Sequence, residues 1–282
     1  MNVVCLNGEF LPAEEARVSI FDRSFLYGDG LFETLRVYDG HPFAWTEHLD
    51  RLERSAGWLG LRMPTTRDIL LSTSQELLRR NGQSEALLRI QISRGRGNRG
   101  YSPRGAESPI WVATTYPATP QDPAQPLRWR LTTASLRLAV ADPLNQLKSS
   151  SKLLQVLARA EAEAQGGDEA LLLDTAGRVV EGSSSNVFWI TGNRLLTPPV
   201  ESGALPGITR AIVLRIAPDL GFIPRERRCT PDDLRAADGV FLTLSSLGLV
   251  TATALDGTPL RESPGTQALH EAYQRQTRSG PH

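Results

Sequence analysis

The sequence predicts a mixed α/β protein of two domains. Short apolar or alternating runs that end in Asn-Gly or Asp-Gly pairs are typical of strands. These runs interleave with segments whose apolar residues recur at helical spacing. A proline-rich stretch near the middle of the 282 residues divides the pattern. A chain of this length suggests one large or two medium-sized domains. The interleaved strands and helices predict an α/β (α+β mixed) fold.

The first half begins with two predicted hairpins. Residues 3–6 run into Asn7-Gly8 and residues 31–38 run into Asp39-Gly40, which are pairs that favour two-residue hairpin loops. Two amphipathic helices and two strands follow, and an arginine- and glycine-rich loop separates the strands. The helices are predicted at residues 46–61 and 68–80. The strands are predicted at 87–93 and 110–115, with the loop at 94–104 between them.

A linker is predicted at residues 118–126, where prolines recur and apolar residues are almost absent. We therefore expect a small N-terminal α/β domain at residues 1–117 and a larger C-terminal domain at residues 127–282. The predicted elements of the second half are strands at 128–138, 169–173, 187–190, 194–197, 240–244 and 249–253, and helices at 151–165 and 208–220. The last dozen residues are expected to be disordered.

Composition argues against several classes of protein. The 31 acidic and 31 basic residues balance, so we expect no nucleic-acid partner. No apolar run reaches the ~18 residues of a membrane span, and the chain does not begin with a basic region followed by an apolar run. We therefore expect no membrane partner and a cytoplasmic location. The two cysteines do not form a disulfide framework, and the four histidines lack metal-ligand spacing, so no metal is expected.

Lysine is almost absent from the chain. Of the 31 basic residues, only Lys148 and Lys152 are lysines. A lysine can supply a neutral amine that attacks a carbonyl group, whereas a guanidinium group stays protonated. Schiff-base chemistry is therefore a task that would preserve a lysine, although codon bias could also leave two lysines by chance. Lys148 precedes the predicted helix at 151–165, and Lys152 is interpreted as a surface cation in its first turn.

Two other segments contain the residue types of a ligand site. A tight turn ending at Gly207 precedes a helix whose first amides belong to Ile208 and Thr209, and such a terminus favours an anion. The segment from Glu181 to Asn186 follows an apolar run and combines a carboxylate with three serines. Taken alone, the first segment could be an ordinary uncapped helix start, and the second could be a polar surface loop.

Together these segments resemble the class IV (fold-type IV) pyridoxal-phosphate enzymes, which include branched-chain and D-amino-acid aminotransferases and 4-amino-4-deoxychorismate lyase. The resemblance covers nearly the whole chain. Its motifs are Asn7-Gly8, DRSFLYGDGLFETLR at 22–36, EHLDRL at 47–52, the lysine segment, EGSSSNVF at 181–188 and LPGITR at 205–210. It implies a two-domain fold like that of D-amino-acid aminotransferase, the cofactor pyridoxal 5'-phosphate, and a homodimer in which the partner completes each pocket.

The resemblance also implies roles for individual residues. Lys148 matches the lysine that forms the Schiff base with the cofactor and moves the substrate proton. Glu181 matches the carboxylate that keeps the pyridine nitrogen protonated, and Arg51 matches the phosphate-binding arginine. The remaining cofactor contacts implied are Ser184, Ser185 and Asn186 beside the ring, and Ile208, Thr209 and Ser245 at the phosphate. The substrate contacts implied are Tyr27, Phe32, Arg36, Arg99 and Tyr101.

The arginine-rich loop favours one member of the family. Its string Arg99-Gly100-Tyr101-Ser102 is similar to one that borders the substrate pocket in aminodeoxychorismate lyases. D-amino-acid aminotransferases usually have Arg and His at the positions of Arg99 and Tyr101. We therefore predict a lyase that releases pyruvate from 4-amino-4-deoxychorismate and leaves 4-aminobenzoate, a step of folate synthesis. Its partner is thus a small molecule with carboxylate and amino groups.

Two alternatives remain. The segments 148–152 and 243–245 depart from the usual lyase motifs, so an aminotransferase acting on D-amino acids is the second interpretation. Branched-chain L-amino acids are less favoured, because that subgroup usually has a tyrosine where this chain has Leu153. A non-enzymatic binding module is a more distant alternative, and it would purify colourless, whereas an enzyme carrying the cofactor would be yellow.

Overall fold

The computed structural model of this chain describes residues 2–119 and 125–278. Helices and strands interleave along it, which confirms the predicted mixed α/β class. The chain forms two compact units. The first unit comprises residues 2–119 with the segment Lys148–Lys152, and the second comprises residues 125–147 and 153–278. Lys148 thus packs with the first unit, although the sequence-based division placed it in the C-terminal domain. Residues 120–124 of the predicted linker lie outside the described residues.

The first unit is built on a six-stranded antiparallel sheet. Its strands are β1 (Val3–Leu6), β2 (Glu9–Pro12), β3 (Gly30–Tyr38), β4 (His41–Pro42), β5 (Ala86–Ser93) and β6 (Ile110–Pro117), and its helices are α1 (Arg23–Tyr27), α2 (Trp45–Trp58) and α3 (Arg67–Arg80). The strand order is β2-β1-β6-β5-β3-β4. Both predicted hairpins and both predicted amphipathic helices are present, with limits within three residues of those expected.

The two faces of this sheet differ in character. Side chains alternate along β5, so Leu88, Ile90 and Ile92 are buried, while Arg89 and Gln91 on the other face are only partly buried. The buried face packs against α2 through apolar side chains at helical spacing. Because Phe32 and Glu33 are neighbours in β3, they face opposite sides of the sheet. This alternation places Glu33 toward α2 and Phe32 beside Arg89.

The second unit contains a nine-stranded mixed sheet. Its strands are β7 (Arg128–Leu138), β8 (Glu169–Asp174), β9 (Val179–Gly182), β10 (Asn186–Thr191), β11 (Arg194–Thr197), β12 (Ile223–Glu226), β13 (Gly239–Leu244), β14 (Gly248–Leu255) and β15 (Thr258–Pro259). Its helices are α4 (Leu153–Ala164), α5 (Ile208–Ile216), α6 (Pro231–Ala236) and α7 (Pro264–Arg278). The order is β12-β11-β10-β13-β14-β7-β8-β9, and β15 pairs with β14. Every strand predicted in this half is present.

Three differences from the predicted elements have physical causes. Helix α4 begins at Leu153 rather than at residue 151, because residues 148–150 are hydrogen-bonded to β3 in an extended conformation. Lys152 therefore precedes the helix. The expected disorder of the last dozen residues is wrong for 271–278, since the buried Leu269 and Tyr273 anchor α7. Helix α6 was not predicted, although Thr230 and Asp233 form a capping box at its start.

The two cysteines are buried as free thiols. Burial raises the pKa of both, to about 12 for Cys229. Each side chain is therefore an uncharged thiol at neutral pH, which is the unreactive form. In the part of the chain that the structure describes, no helix combines the length and the apolar character needed to cross a membrane.

Candidate active site

Lys148 is held against the first sheet by main-chain hydrogen bonds. The amide of Phe32 donates to the carbonyl oxygen of Lys148 at 2.9 Å, and the amide of Ser150 donates to the carbonyl oxygen of Gly30 at 2.9 Å. Strand β3 pairs with β4 only at Val37 and Tyr38, and the lysine segment pairs with the other end of that edge, where Leu31 lies opposite Ser149. The Nζ atom of Lys148 lies 4.8 Å from the centre of the Phe32 ring. The predicted cofactor lysine thus has a fixed backbone and an aromatic neighbour.

Two glycines allow this close approach. A Cβ atom on Gly30 would lie 2.6 Å from the carbonyl oxygen of Ile92 and 3.2 Å from the hydroxyl of Ser150. Gly28 has φ 71°, and a Cβ there would lie 2.9 Å from the Cβ of Ser151. Contacts under 3 Å to backbone would force the strand or the lysine segment to move. The Gly-Asp-Gly sequence before β3 is therefore a steric requirement of the lysine's position.

The expected phosphate-binding arginine, Arg51, is oriented by a buried carboxylate. Its Nε donates to Glu33 Oε1 at 2.8 Å and its Nη2 donates to Glu33 Oε2 at 2.6 Å. His48, one turn earlier in α2, donates from Nδ1 to Glu33 Oε2 at 2.7 Å. All three side chains are buried. This bidentate pairing fixes the plane of the Arg51 guanidinium.

The protonation states of this triad follow from its burial and charges. Burial raises the pKa of Glu33, but the Arg51 charge and the hydrogen bonds from Arg51 and His48 outweigh it, so the pKa falls to about 2. Burial lowers the pKa of His48 more than Glu33 raises it, and the Arg51 and Lys148 charges lower it further. At neutral pH Glu33 is therefore a carboxylate and His48 is uncharged, so His48 carries its proton on Nδ1.

Arg89 was not among the predicted site residues. Its guanidinium lies 3.8 Å from the centre of the same Phe32 ring that Lys148 contacts, and it donates to the side-chain oxygen of Gln91. Among the described residues, no carboxylate lies within ion-pair distance of Arg89. Burial lowers the pKa of Arg89, and a bound anion would oppose that effect. Arg89 lies on the same face of the sheet as Phe32 because of the β3–β5 register, in which Phe32 is opposite Gln91, and that register is not visible in the sequence.

The expected substrate residues of the first unit fall into separate groups. Tyr27 and Tyr101 are together, with ring centres 5.6 Å apart, and the amide of Gly100 donates to the Tyr27 hydroxyl. Tyr101 is 87% exposed, and the neighbouring Arg99 is exposed. Arg36 belongs to a different group, in which it donates to Glu85 at 2.5 Å and to the carbonyl oxygen of Thr119. Phe32 is grouped with Lys148 and Arg89.

Arg23 fixes the loop that carries Tyr101. Its guanidinium donates to the carbonyl oxygens of Gly100, Tyr101 and Ser102, each at 3.0 Å, and its Nε donates to Asp29 at 2.7 Å. Arg23 is buried although it is charged. One buried cation therefore determines the path of the main chain at the Arg-Gly-Tyr-Ser string.

In the second unit, Glu181 and Asn186 are brought together at the start of α5. Glu181 is buried, and its Oε2 accepts from the amide of Leu205 at 2.9 Å and from Nδ2 of Asn186 at 3.4 Å. The same Nδ2 donates to the carbonyl oxygen of Leu205. A Cβ on Gly207 would lie 2.0 Å from Oδ1 of Asn186, so only glycine fits there. The predicted ring-nitrogen carboxylate is therefore fixed by the turn that precedes α5.

The residues present fit the groups of pyridoxal phosphate. Helix α5 begins after Gly207 with no side-chain cap, so the amides of Ile208 and Thr209 keep the anion preference of a helix terminus. Thr243 lies opposite Asn186 in the β13–β10 pair, and its buried hydroxyl has no hydrogen-bond partner. Ser245 is partly buried in the turn after β13. Such donors suit a phosphate, and the Glu181 carboxylate suits a protonated ring nitrogen.

The three serines that follow Glu181 point to another residue that sequence reasoning did not identify. The hydroxyls of Ser183, Ser184 and Ser185 all lie within hydrogen-bond distance of Glu169. Glu169 is completely buried at the start of β8. A glutamate that directly precedes the apolar residues of the strand EALLLD is the signal that the sequence offers.

Replacing Gly30 should disturb the pairing of β3 with β5 and crowd the hydroxyl of Ser150 in the lysine segment. We expect Gly30→Ala to lower the free energy of unfolding by about 1–3 kcal/mol, because the new methyl overlaps backbone. It should also weaken pyridoxal-phosphate attachment. Gly57→Ala is the control, since a Cβ there meets nothing within 4 Å and alanine favours the helix. Urea unfolding and absorbance titration measure both effects, and equal stability of the two variants would contradict the steric argument.

Glu33 should make the free energy of unfolding depend on pH under acidic conditions. Its pKa is about 2 in the fold against 4.5 ordinarily, so its contribution is present above pH 4.5 and is lost as the pH falls toward 2. We expect Glu33→Gln to lower the free energy of unfolding by about 3 kcal/mol at pH 7. Below pH 4.5 the variant should lose less stability with falling pH than wild type does. Thermal unfolding at several pH values measures this. Glu76→Gln is the control, because Glu76 pairs with Arg79 and Arg80 at the surface of α3 and should matter little.

Comparison with known proteins identifies the family of this chain. Residues 30–255 match the model of the family described as Amino-transferase class IV. The chain is 38% identical over 255 residues to a Methanocaldococcus jannaschii protein with the provisional name branched-chain-amino-acid aminotransferase, covering 90% of this chain and 88% of that one. It is 34% identical to a Staphylococcus aureus D-alanine aminotransferase, covering 98% of both chains. It is 29% identical to the Bacillus subtilis aminodeoxychorismate lyase, covering 99% of this chain and 96% of that one.

Solved structures lead to the same family. An Escherichia coli branched-chain amino acid aminotransferase has a TM-score of 0.90 at 28% identity, with 97% of this chain and 94% of that chain covered. A T.th. branched-chain amino acid aminotransferase complexed with N-(5'-phosphopyridoxyl)-L-glutamate has a TM-score of 0.88 at 31% identity, with 97% and 93% covered. The fold and the cofactor implied by the sequence are thereby confirmed. The chain belongs to the class IV aminotransferase family and is an enzyme whose cofactor is pyridoxal phosphate.

Proposed function

We propose that this enzyme is a lyase that releases pyruvate from 4-amino-4-deoxychorismate and leaves 4-aminobenzoate. The observation that carries the proposal is the loop held by Arg23, which presents the lyase-like string Arg99-Gly100-Tyr101-Ser102 and packs Tyr101 against Tyr27. The similarity to the Bacillus subtilis aminodeoxychorismate lyase over nearly the whole chain gives further support.

Lys148 and Glu181 have the central roles in this proposal. Pyridoxal phosphate, when bound, accepts the electron pair that remains when a substrate proton is removed. The amine of Lys148 holds the cofactor and then takes a ring proton from the substrate. Glu181 keeps the pyridine nitrogen protonated, with one of its own oxygens fixed by Leu205 and Asn186. Elimination of the enolpyruvyl group is favourable because the product ring becomes aromatic.

The proposed phosphate contacts are Arg51, Thr209 with its neighbour Ile208, and Ser245. Arg51 suits this role because Glu33 fixes the plane of its guanidinium, so little side-chain entropy is lost when an anion binds. We propose Ser184 and Ser185 as neighbours of the pyridine ring of the cofactor.

The substrate carboxylates require cationic partners. Arg99 is exposed, and Arg89 has no carboxylate within ion-pair distance among the described residues, so both are available for an anion. Arg36 is not assigned a substrate carboxylate, since its Nη2 already donates both to Glu85 and to the carbonyl oxygen of Thr119. We therefore assign substrate carboxylates to Arg99 and Arg89, with Phe32 as an apolar surface and Tyr27 and Tyr101 as hydroxyl donors.

Amino transfer is the second candidate, and the identities favour it. The D-alanine aminotransferase and the Methanocaldococcus jannaschii protein are both more similar in sequence to this chain than the Bacillus subtilis lyase is. Transamination requires the same proton removal by Lys148, followed by return of the proton to the cofactor. The lysine segment is therefore common to both reactions, and only the substrate-binding residues distinguish them.

We also propose that the enzyme is a homodimer located in the cytoplasm. Large apolar side chains are exposed within one short segment of the first unit, and a second copy of the chain would cover them. These are Val18, Ile20, Phe21, Phe25 and Leu26. Sedimentation equilibrium should give twice the mass of the chain, and Phe25→Asp should shift the protein toward the monomer. A monomeric wild-type protein would refute the proposal.

The reaction is decided by comparing specificity constants on one preparation. We expect kcat/KM for pyruvate release from 4-amino-4-deoxychorismate to exceed kcat/KM for amino transfer from D-alanine or L-leucine. Arg99→Ala should lower the lyase constant about ten- to hundredfold, as loss of a charge-assisted hydrogen bond does. Arg104→Ala, another exposed arginine of the same loop, is the control. A larger constant for either amino acid would overturn the lyase proposal and leave the family assignment intact.

A further inference from the structure

Glu169 is a completely buried carboxylate that no expected role explains. It opens β8, and its neighbours in the strand are apolar and buried. The cation within ion-pair distance of it is Arg159, whose Nη1 lies 3.7 Å from Oε1, beyond hydrogen-bond length. A buried charge is costly unless donors surround it. The donors therefore indicate what Glu169 does.

Nearly all of those donors come from Ser183–Ser185, which we call the serine turn. Oε1 of Glu169 accepts from the amides of Ala170 at 2.9 Å and Ser183 at 3.2 Å, and the Ser183 hydroxyl also contacts it. Oε2 accepts from the hydroxyls of Ser184 at 2.7 Å and Ser185 at 3.3 Å. A single carboxylate thus collects the hydroxyls of three consecutive residues. Each hydroxyl has one hydrogen, and that hydrogen is used here.

The serine turn is connected directly to the proposed cofactor carboxylate. It joins β9, which ends with Glu181 and Gly182, to β10, which begins with Asn186. The amide of Gly182 donates to the carbonyl oxygen of Ser185 at 2.7 Å, which closes the turn. A Cβ on Gly182 would lie 2.2 Å from the Ser185 hydroxyl. A shift of the turn would therefore move Glu181 and Asn186 together.

We propose that Glu169 is a positioning residue for the cofactor site. It holds the serine turn by its three hydroxyls, and thereby fixes Glu181 and Asn186 at the start of α5. The inference rests on the proposed cofactor roles of Glu181 and the serine turn, and it is independent of which reaction the enzyme catalyses.

This arrangement also determines what the serine turn can offer a ligand. Because the three hydroxyl hydrogens point to Glu169, the hydroxyl oxygens present only lone pairs to anything else. The hydroxyls of the serine turn therefore do not donate to the cofactor phosphate. That task falls to Arg51, to main-chain amides and to hydroxyls outside the turn.

The test replaces Glu169 by its isosteric amide. Glutamine has one acceptor oxygen and one donor nitrogen, so hydroxyls of the serine turn must reverse or lose their bond. We expect Glu169→Gln to raise the Kd for pyridoxal phosphate on the order of tenfold, as loss of a residue that orients a first ligand contact does. The visible absorption band of the bound cofactor should shift in the same direction as in Glu181→Gln, by a smaller amount.

Asp174→Asn is the matched control for a purely structural effect. Asp174 is a completely buried carboxylate at the other end of β8, where it accepts from the amides of Ala176 and Arg178. Both variants should lower the thermal midpoint, but Asp174→Asn should leave the cofactor Kd and absorption band unchanged. If Glu169→Gln affects the thermal midpoint alone, as Asp174→Asn does, the positioning role is refuted.

Two further variants make the outcome unambiguous. Ser184→Ala removes one donor, and its effect on the cofactor Kd should be much smaller in the Glu169→Gln background than in wild type. Full additivity would contradict the coupling. Should Glu169→Gln not fold, a cofactor Kd for Ser184→Ala equal to that of wild type would also count against the proposal. If Glu181→Gln itself leaves the absorption band unchanged, the assignment of Glu181 to the cofactor is wrong, which is a different failure.

Discussion

The pairing of residues 148–150 with the edge of β3 is the constraint on which the active site depends. Two main-chain hydrogen bonds place Lys148 beside Phe32, and a side chain on Gly30 would overlap the carbonyl oxygen of Ile92 in the neighbouring strand β5. The lysine backbone is therefore fixed by the sheet rather than by the helix that follows. This explains why α4 starts late and why Lys148 packs with the first unit.

Buried carboxylates organise the donors on both units. Glu33 orients the Arg51 guanidinium, Glu181 is fixed by a main-chain amide and by Asn186, and Glu169 collects the serine hydroxyls. Each carboxylate is surrounded by donors, so its charge is compensated where it is buried. The donors in turn lose rotational freedom before any ligand arrives. Such preorganisation reduces the entropy that a bound cofactor or substrate must remove.

Local sequence motifs predicted much of the fold, because they encode short-range geometry. The turn pairs, the alternation of β3 and the glycine before α5 all act within a few residues, so the sequence predicted the hairpins and the start of α5. The roles of Lys148 and Glu181 follow from the family resemblance and stay predictions. Contacts between distant segments could not be predicted in the same way. The partnership of Arg36 with Glu85, and of Glu169 with the serine turn, depends on strand register. The exposed or buried state of an arginine in β5 depends on it too, which is why Arg89 was not identified.

The place of Lys148 in the chain has a consequence for folding during synthesis. The strands and helices of the first unit leave the ribosome before the residues that complete the edge of β3 exist. At about 5–20 residues per second, residues 39–147 take roughly 5–20 s to follow β3. During that interval the amide of Phe32 and the carbonyl of Gly30 lack their partners in the lysine segment. The chain between β3 and that segment is long, so closing it carries an entropic cost. Placement of the lysine is thus a late folding event, and a nascent chain cannot acquire its cofactor attachment early.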